Sequence, residues 1–386
     1  MPADSSGLRD QVLTRAESVE DLGELLEGFA GALREVEIPL DWLSMHSLRL
    51  SPTLETRTYE WTPTTSQVVR RAEEREASPG HEDALISRIW SGLSAADHRL
   101  GASPDPSDGA LVRDLKAHGI THFLIAPVPR WVQGPAALVL GTQRPEGFSE
   151  ADLASLRRAT DALAPAADLH ETRALVRTLL RTYLGKSAAE SVLRGSIRRG
   201  ESEMIHAILF YSDLRDFTPL SEETAVPRLT DLLDRYFETI ARPVQAAGGE
   251  ILKFIGDGLL AVFPCPVGHR RACPTAQRAL RVARDAQRAM ADRRREEPDF
   301  DLACGVALHV GDVLFGNVGA SDRLDFTVIG PAVNLVTRIE SLSKRATSGI
   351  VASEDFARRE GGDYDTLGRH GLKGISQPRE VFSPKP

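Results

Sequence analysis

The segment GGEILKFIGDGLLAVFP, residues 248–264, constrains the fold more than any other part of the chain. Two apolar runs of strand length flank Gly256-Asp257-Gly258, and an Asp-Gly step between such runs is a strong hairpin signal. The chain therefore has to contain an antiparallel pair, expected at 250–255 and 259–263, with Asp257 at its tip. Taken alone, Asp257 is explained by the turn, because aspartate suits turn backbone geometry. A second segment widens its meaning. In LFYSDLRDFTPLSE, residues 209–222, an apolar strand ends in Asp213 and Asp216 around Arg215 and runs through Phe217 and Thr218 into a helix start. Polar residues are ordinary in loops at strand ends. Two aspartates at the ends of neighbouring strands are less so. Hard cations such as Mg2+ prefer one or two carboxylates completed by phosphate oxygens and water, so Asp213 and Asp257 together predict a metal-nucleotide site.

A third segment, FTVIGPAVNLVTRIESLSKR at 326–345, supplies groups of opposite character. Gly330-Pro331 suits a helix start, with proline at the first helical position. Asn334 and Arg338, four residues apart, then share one helix face. An amide beside a guanidinium can orient a hydroxyl and stabilise charge on a phosphoryl group; a solvated polar face would use the same residues.

Around these segments the chain reads as strand 204–211, helix 226–247, the hairpin, helix 272–295, strands 301–309 and 312–318, strand 324–329, helix 331–345 and a short β-rich end. Such alternation implies one sheet covered by helices. Nearer the amino terminus, Val19, Leu22, Leu25, Leu26, Phe29, Leu33 and Val36 fall at helical spacing, followed by strand-like runs at 42–50, 54–61, 121–128 and 136–142. From Ser149 to about Arg199 the pattern is helical, interrupted at Pro165. Within it Leu169, Val176 and Tyr183 recur every seven residues with Leu179 and Leu180 between them. That stripe fits a short two-stranded coiled coil joining two domains; a single helix packed on its own domain would also fit it.

The length of 386 residues implies two to three domains. A net charge of -8 gives no basic footprint, so nucleic acid is not an expected partner. No segment approaches the roughly 20 apolar residues of a membrane span, and MPADSSGLRD lacks a secretory pattern, so a cytoplasmic protein is expected. Cys265, Cys273 and Cys304 are too few for a disulfide framework and read as reduced thiols. Cys265, His269 and Cys273 lie close in sequence, but their spacing matches no common zinc site. Trp61, Trp90 and Trp131 read as core aromatics rather than as a ligand pocket.

Several motifs in order, FYSDLRDFTPLSE, LKFIGDGLLAVF, LHVGDVLFGNVG, TVIGPAVNLVTRIE and LKGISQPREVF, make the region from about residue 200 resemble the class III nucleotidyl cyclase catalytic domain. The resemblance implies that Asp213 and Asp257, helped by the backbone carbonyl of Leu214, bind two Mg2+ or Mn2+ ions per active site. It implies that Lys253 reads the purine with Thr327 at the second base-reading position, the pattern of a Lys/Thr adenylyl subclass. Asn334 would orient the ribose, Arg338 would stabilise the transition state, Lys373 would hold the terminal phosphates, and Phe217 and Thr218 would lie against the substrate. Asp216 departs from the family, which often has glycine there. A lysine suits adenine because it can donate to purine N1, an acceptor in adenine and an N–H in guanine.

The amino-terminal order of helix, strands and GFSEADLASLRRATDAL resembles a GAF sensor domain. No cysteine precedes Cys265, so a thioether-linked chromophore there is excluded. The expected architecture is α+β: a GAF-like α/β sensor domain at 1–168 with an unknown small-molecule or protein ligand, a helical or coiled-coil linker at 169–200, and a palm-like (ferredoxin-like βαββαβ) catalytic domain at 201–386. The resemblance implies an adenylate cyclase that turns ATP into cyclic AMP and pyrophosphate in a homodimer with composite sites. Alternatives are a guanylate cyclase or a catalytically silent nucleotide-binding regulator. GGE at 248–250 faintly matches the diguanylate cyclase signature, but ILKFIGDG departs from it.

Overall fold

A computed structural model describes residues 19, 21–49, 55–65, 68–74, 84–92, 94–101, 103, 105, 108–130, 134–265 and 273–385; Trp131 and His269 lie outside them. The chain divides into two compact units, at Thr182 and Tyr183.

The first unit is built on six strands: β1 (Trp42–Arg49), β2 (Glu55–Trp61), β3 (Val69–Glu74), β4 (Ala96–Arg99), β5 (His122–Val128) and β6 (Ala136–Thr142). They form one antiparallel sheet in the order β3-β2-β1-β6-β5-β4. Strands β5 and β6 are apolar on both sides because both faces are covered. Helix α1 (Leu22–Glu35) and the first half of a later helix pack Leu25, Phe29, Leu33, Leu156 and Leu163 against Leu43, Met45 and Leu138. Helices α2 (Ala84–Trp90) and α3 (Ala110–Ala117) bring Ile86, Ile89, Leu111 and Leu115 to Trp42, Phe123 and Val139 on the other face. Each such side chain contributes about 1.5–3 kcal/mol of burial. Trp61 belongs to this core, as the sequence implies.

Helix α4 runs unbroken from Glu150 to Leu184, through Pro165, where an interruption was expected. An interior proline costs about 3 kcal/mol. Leu163, Ala164, Ala166 and Ala167 are buried on both sides of it, so packing holds the helix across the defect. Beyond this anchored half the apolar stripe faces outward, with Leu169, Val176, Leu179 and Tyr183 exposed. The helix stops at Gly185, whose φ of 84° no other residue type adopts readily.

In the second unit, α5 (Lys186–Leu193) precedes β7 (Ser202–Leu214), α6 (Phe217–Glu223), α7 (Val226–Ala246), β8 (Glu250–Ile255), β9 (Gly258–Pro264), α8 (Pro274–Glu296) and β10 (Cys304–Gly319). Next come β11 (Leu324–Ile329), α9 (Pro331–Glu340), a 3-10 turn at Ser343–Arg345, β12 (Ile350–Ser353), α10 (Glu354–Glu360), β13 (Tyr364–His370) and β14 (Arg379–Pro384). The eight strands make one sheet in the order β13-β14-β12-β10-β7-β9-β8, with β11 paired to β10. Its centre, β10-β7-β9-β8, is a split βαβ arrangement of βαββαβ connectivity. Helices α7 and α8 cover one face through Tyr236, Ile240, Ala279 and Ala283, against Ile208, Phe210 and Phe263. Helix α9 covers the other through Leu335, Val336 and Ile339, against Leu209, Tyr211 and Val262. The unit is thus a mixed α/β fold.

Strand β10 is a single strand where two were expected, at 301–309 and 312–318. It pairs with β7 throughout, from Cys304↔Leu214 to Gly316↔Ser202. Gly311 marks a close approach rather than a break: a Cβ there would lie 2.8 Å from that of Ala332 on α9. Helix α9 ends at Glu340, shorter than the 331–345 expected, with the 3-10 turn beyond it.

Candidate active site

Because side chains alternate along β7, Leu209, Tyr211 and Asp213 point to the α9 face while Ile208 and Phe210 enter the opposite core. Pairing of β9 with β7, Leu259 opposite Ser212, brings the β8–β9 turn beside the end of β7. Asp257 in that turn comes within hydrogen-bonding reach of Asp213. Burial first, and then the Asp257 charge, raise the Asp213 carboxyl well above the usual range. The Tyr211 hydroxyl lies on the same side of Gly258 as Asp213 Oδ1, and burial together with the neighbouring carboxylates pushes its own ionisation well up. Gly258 makes the approach possible, since a Cβ there would stand 2.3 Å from the Tyr211 hydroxyl oxygen and 3.0 Å from Asp213 Oδ1.

A third acid lies behind this pair. Glu340, at the end of α9, is buried and accepts from Ser343 Oγ at 2.9 Å. Burial raises its carboxyl above the usual range, and its charge in turn acts on Asp213. Gly305, opposite Asp213 in the ladder, leaves the room: a Cβ would meet Glu340 Oε1 at 2.0 Å and Ser343 Oγ at 2.1 Å.

The two aspartates around Arg215 have separate tasks. The Arg215 backbone N–H donates to the Ala303 carbonyl at 2.8 Å, and its guanidinium reaches the Ser343 carbonyl at 3.4 Å, so this residue anchors the loop. Asp216 turns outward and accepts from Lys344 Nζ at 2.7 Å, which holds its carboxyl below the usual range. Its φ of 56° is left-handed. Glycine takes that conformation freely and aspartate tolerates it, which accounts for aspartate where the resembled family often has glycine.

Lys253 on β8 donates to Asp325 Oδ2 on β11 at 2.6 Å. Thr327, two residues along β11, shares the face of Asp325. Asn334 and Arg338 are both exposed on one side of α9 and, among the described residues, neither side chain is hydrogen-bonded or ion-paired. Lys373 is exposed between β13 and β14. Leu214 closes β7 with its side chain in the core, Phe217 packs half-buried against that core, and Thr218 is exposed on α6.

Within one chain, then, Asp213 and Asp257 meet, and Lys253 lies at a second place with Asp325. No hydrogen bond or ion pair among the described residues links either place to Asn334, Arg338 or Lys373. Sequence reading missed Tyr211, Glu340 and Asp325. Each stands two residues from a residue it did single out: Tyr211 before Asp213, Asp325 before Thr327, and Glu340 after Arg338. On a strand that spacing means the same face, a signal available for Tyr211 and Asp325 but not for helical Glu340.

The family model of the adenylate and guanylate cyclase catalytic domain matches residues 201–377. Among curated relatives, an uncharacterized protein of Mycobacterium bovis is 33% identical over 242 residues, covering 61% of this chain and 42% of that protein. An uncharacterized protein of Mycobacterium tuberculosis is 30% identical over 242 residues, covering 61% of this chain and 41% of its own. The chain thus spans about two fifths of the length of these relatives. Among solved structures, a bacterial light-regulated adenylyl cyclase is similar with a TM-score of 0.49 at 22% identity, over 68% of this chain and 86% of that one. The adenylyl cyclase CyaB from P. aeruginosa gives 0.44 at 29% identity, over 48% and 96%. The guanylyl cyclase Cya2 gives 0.41 at 28% identity, over 47% and 93%. The second unit carries a class III adenylyl/guanylyl cyclase catalytic domain. No helix among the described residues is long and apolar enough to cross a membrane.

Proposed function

We propose that the second unit converts ATP to 3′,5′-cyclic AMP and pyrophosphate in a homodimer whose active sites are shared between chains. The observation that carries this reading is the carboxylate pair. Asp213 and Asp257 are brought side by side at the ends of neighbouring strands, where burial first and then the neighbouring charge hold the Asp213 carboxyl well above the usual range. Such a donor set fits hard divalent cations. Asp213, Asp257 and the Leu214 carbonyl would hold two Mg2+ or Mn2+ ions, which when bound lower the pKa of the attacking hydroxyl and neutralise the triphosphate.

The remaining steps belong to side chains. Asn334 orients the ribose so that its 3′-hydroxyl faces the α-phosphorus. Arg338 stabilises the charge developing on the transferring phosphoryl group. Lys373 holds the terminal phosphates, and Phe217 and Thr218 flank the triphosphate. Lys253 and Thr327 read the base. With the Lys253 ammonium next to the Asp325 carboxylate, a donor and an acceptor stand side by side, as N1 and the N6 amino group of adenine require.

The same pair supports a second reading, because guanine also offers an acceptor, O6, beside a donor, N1–H. Incubating the full chain with Mn2+ and either ATP or GTP, and identifying the product by chromatography, separates the two. Cyclic AMP from ATP is the expected result. No cyclic nucleotide from either substrate would refute the catalytic reading in favour of a silent nucleotide-binding regulator.

The first unit is read as a GAF-like sensor, supported by its six-stranded antiparallel sheet with helices on both faces. The exposed stripe Leu169, Val176, Leu179 and Tyr183 offers a second chain an apolar seam. A ligand of the first unit would then act by changing that pairing. Deleting residues 1–168 is expected to change kcat, and unchanged kinetics would refute the regulatory role.

A further inference from the structure

At the end of β9 remote from Asp257, two sulfurs meet that the cyclase reading does not use. Cys265 directly follows β9 and Cys273 stands at the N-cap of α8, and their Sγ atoms are 3.8 Å apart, one thiol hydrogen-bonded to the other. Both are free thiols. The backbone on each side is pinned, since the Cys265 N–H donates to the His206 carbonyl at 2.9 Å and the Cys273 N–H to the Arg359 carbonyl at 3.1 Å. The framework of β7 and α10 therefore sets the sulfurs side by side. Among the described residues no group of three or more histidine, cysteine or acidic side chains could hold a metal ion.

The two thiols differ in character. Cys273 is buried, which acts to raise its thiol, but the Ala276 and Thr275 backbone N–H groups at the start of α8 outweigh this and hold it below the usual range. Burial and the neighbouring Cys273 push the partly exposed Cys265 up to about 12. Two thiols of unequal acidity set side by side are the arrangement of an attacking and a resolving cysteine. A disulfide needs about 2.05 Å between sulfurs, so sulfurs standing at 3.8 Å have to draw together to form one.

We propose that Cys265 and Cys273 form a reversible oxidation site that closes to an intrachain disulfide when the reduced chain meets a hydroperoxide. Once deprotonated, the Cys273 sulfur attacks the O–O bond and takes one oxygen as a sulfenic acid; the hydroxide that leaves hydrogen peroxide takes up the proton the thiol gave up and departs as water. The Cys265 sulfur then attacks the sulfenic sulfur; the S–S bond forms, and the departing hydroxide takes up the Cys265 proton as a second water. The peroxide is reduced by the two electrons the thiols lose. A dithiol reductant reverses the step by exchange. The third thiol, Cys304 in β10, has no second sulfur paired with it among the described residues, and burial pushes its ionisation up, so it stays reduced.

The test treats the reduced full chain with hydrogen peroxide, alkylates it and counts thiols under denaturing conditions. The count should fall from three to one, the mass should drop by two hydrogens, and peptide mapping should join Cys265 to Cys273, all reversed by dithiothreitol. In Cys265→Ser the oxidation should stop at a sulfenic acid on Cys273 that dimedone traps; in Cys273→Ser the peroxide dose should leave Cys265 unmodified. Three surviving thiols, a disulfide that joins two chains, or zinc released by a mercurial from the reduced protein would each overturn the proposal. If either variant misfolds, the wild-type peptide map decides alone.

Discussion

Gly258→Ala tests how the acidic pair is seated. The new Cβ would stand 2.3 Å from the Tyr211 hydroxyl oxygen, 2.9 Å from its ring carbon and 3.0 Å from Asp213 Oδ1. The tyrosine is buried between β7 and α9, so relief requires the ring or β9 to move by more than half an ångström. Overpacking of this size costs typically about 2 kcal/mol. For a unit of this size that corresponds to a fall in melting temperature of about 4–8 °C. Removing the hydroxyl should restore part of the loss. Tyr211→Phe alone removes the polar hydroxyl beside Asp213, a loss of about 1 kcal/mol. The double variant should be more stable than the sum of the singles by about 1 kcal/mol. The ring carbon remains close, so recovery is partial. Thermal melting of the four proteins in EDTA measures the cycle, and cyclic nucleotide formation with Mn2+ should fall with each displacement of Asp213. A Gly258→Ala protein that melts and turns over like wild type, or strictly additive variants, would refute this account of the seat.

Three further outcomes are expected. Lys253→Glu exchanges a donor for an acceptor and sets it against Asp325; the ATP/GTP ratio of kcat/KM should fall at least tenfold, and an unchanged ratio means Lys253 does not read the base. Asp257→Ala and Arg338→Ala should each be inactive with normal circular dichroism, yet regain activity on mixing, because one of the two sites then combines intact groups from both chains; no recovery despite tagged subunit exchange rejects shared sites. Burial pushes His309 down to about 4 where it meets Ser353 Oγ at 2.7 Å. Its free value is about 6.5, so its neutral form stabilises the fold fully above that pH and less as pH falls toward 4. At pH 5 the loss is about 2 kcal/mol, so denaturant unfolding should show His309→Asn losing that much less than wild type between pH 7.5 and 5.

Local pattern alone located much of the second unit. Strands β8 and β11 occupy 250–255 and 324–329, the residues read from the sequence, because each apolar run is closed by glycine or a turn. Asp257 was placed in its turn for the same reason, and Asn334 and Arg338 on one exposed helix face by their spacing. What failed locally was punctuation. Pro165 reads as a break, and the strand expected at 301–309 reads as separate from that at 312–318, yet α4 and β10 continue through both places, because burial on both sides of the proline and the long ladder with β7 outweigh the local signals.

The sequence by itself determined which residues carry charge and which end of a strand or helix each one occupies, since spacing of 2 or 3.6 residues is a local property. Only the tertiary structure decided what those charges meet. The register of β9 on β7 brings Asp257 to Asp213 across 44 residues of chain, and the packing of α9 sets Glu340 behind them. The placing of β11 beside β8 gives Lys253 its partner Asp325, 72 residues away. Pairing register and helix docking are settled by burying a whole face at once, so no segment read alone contains them.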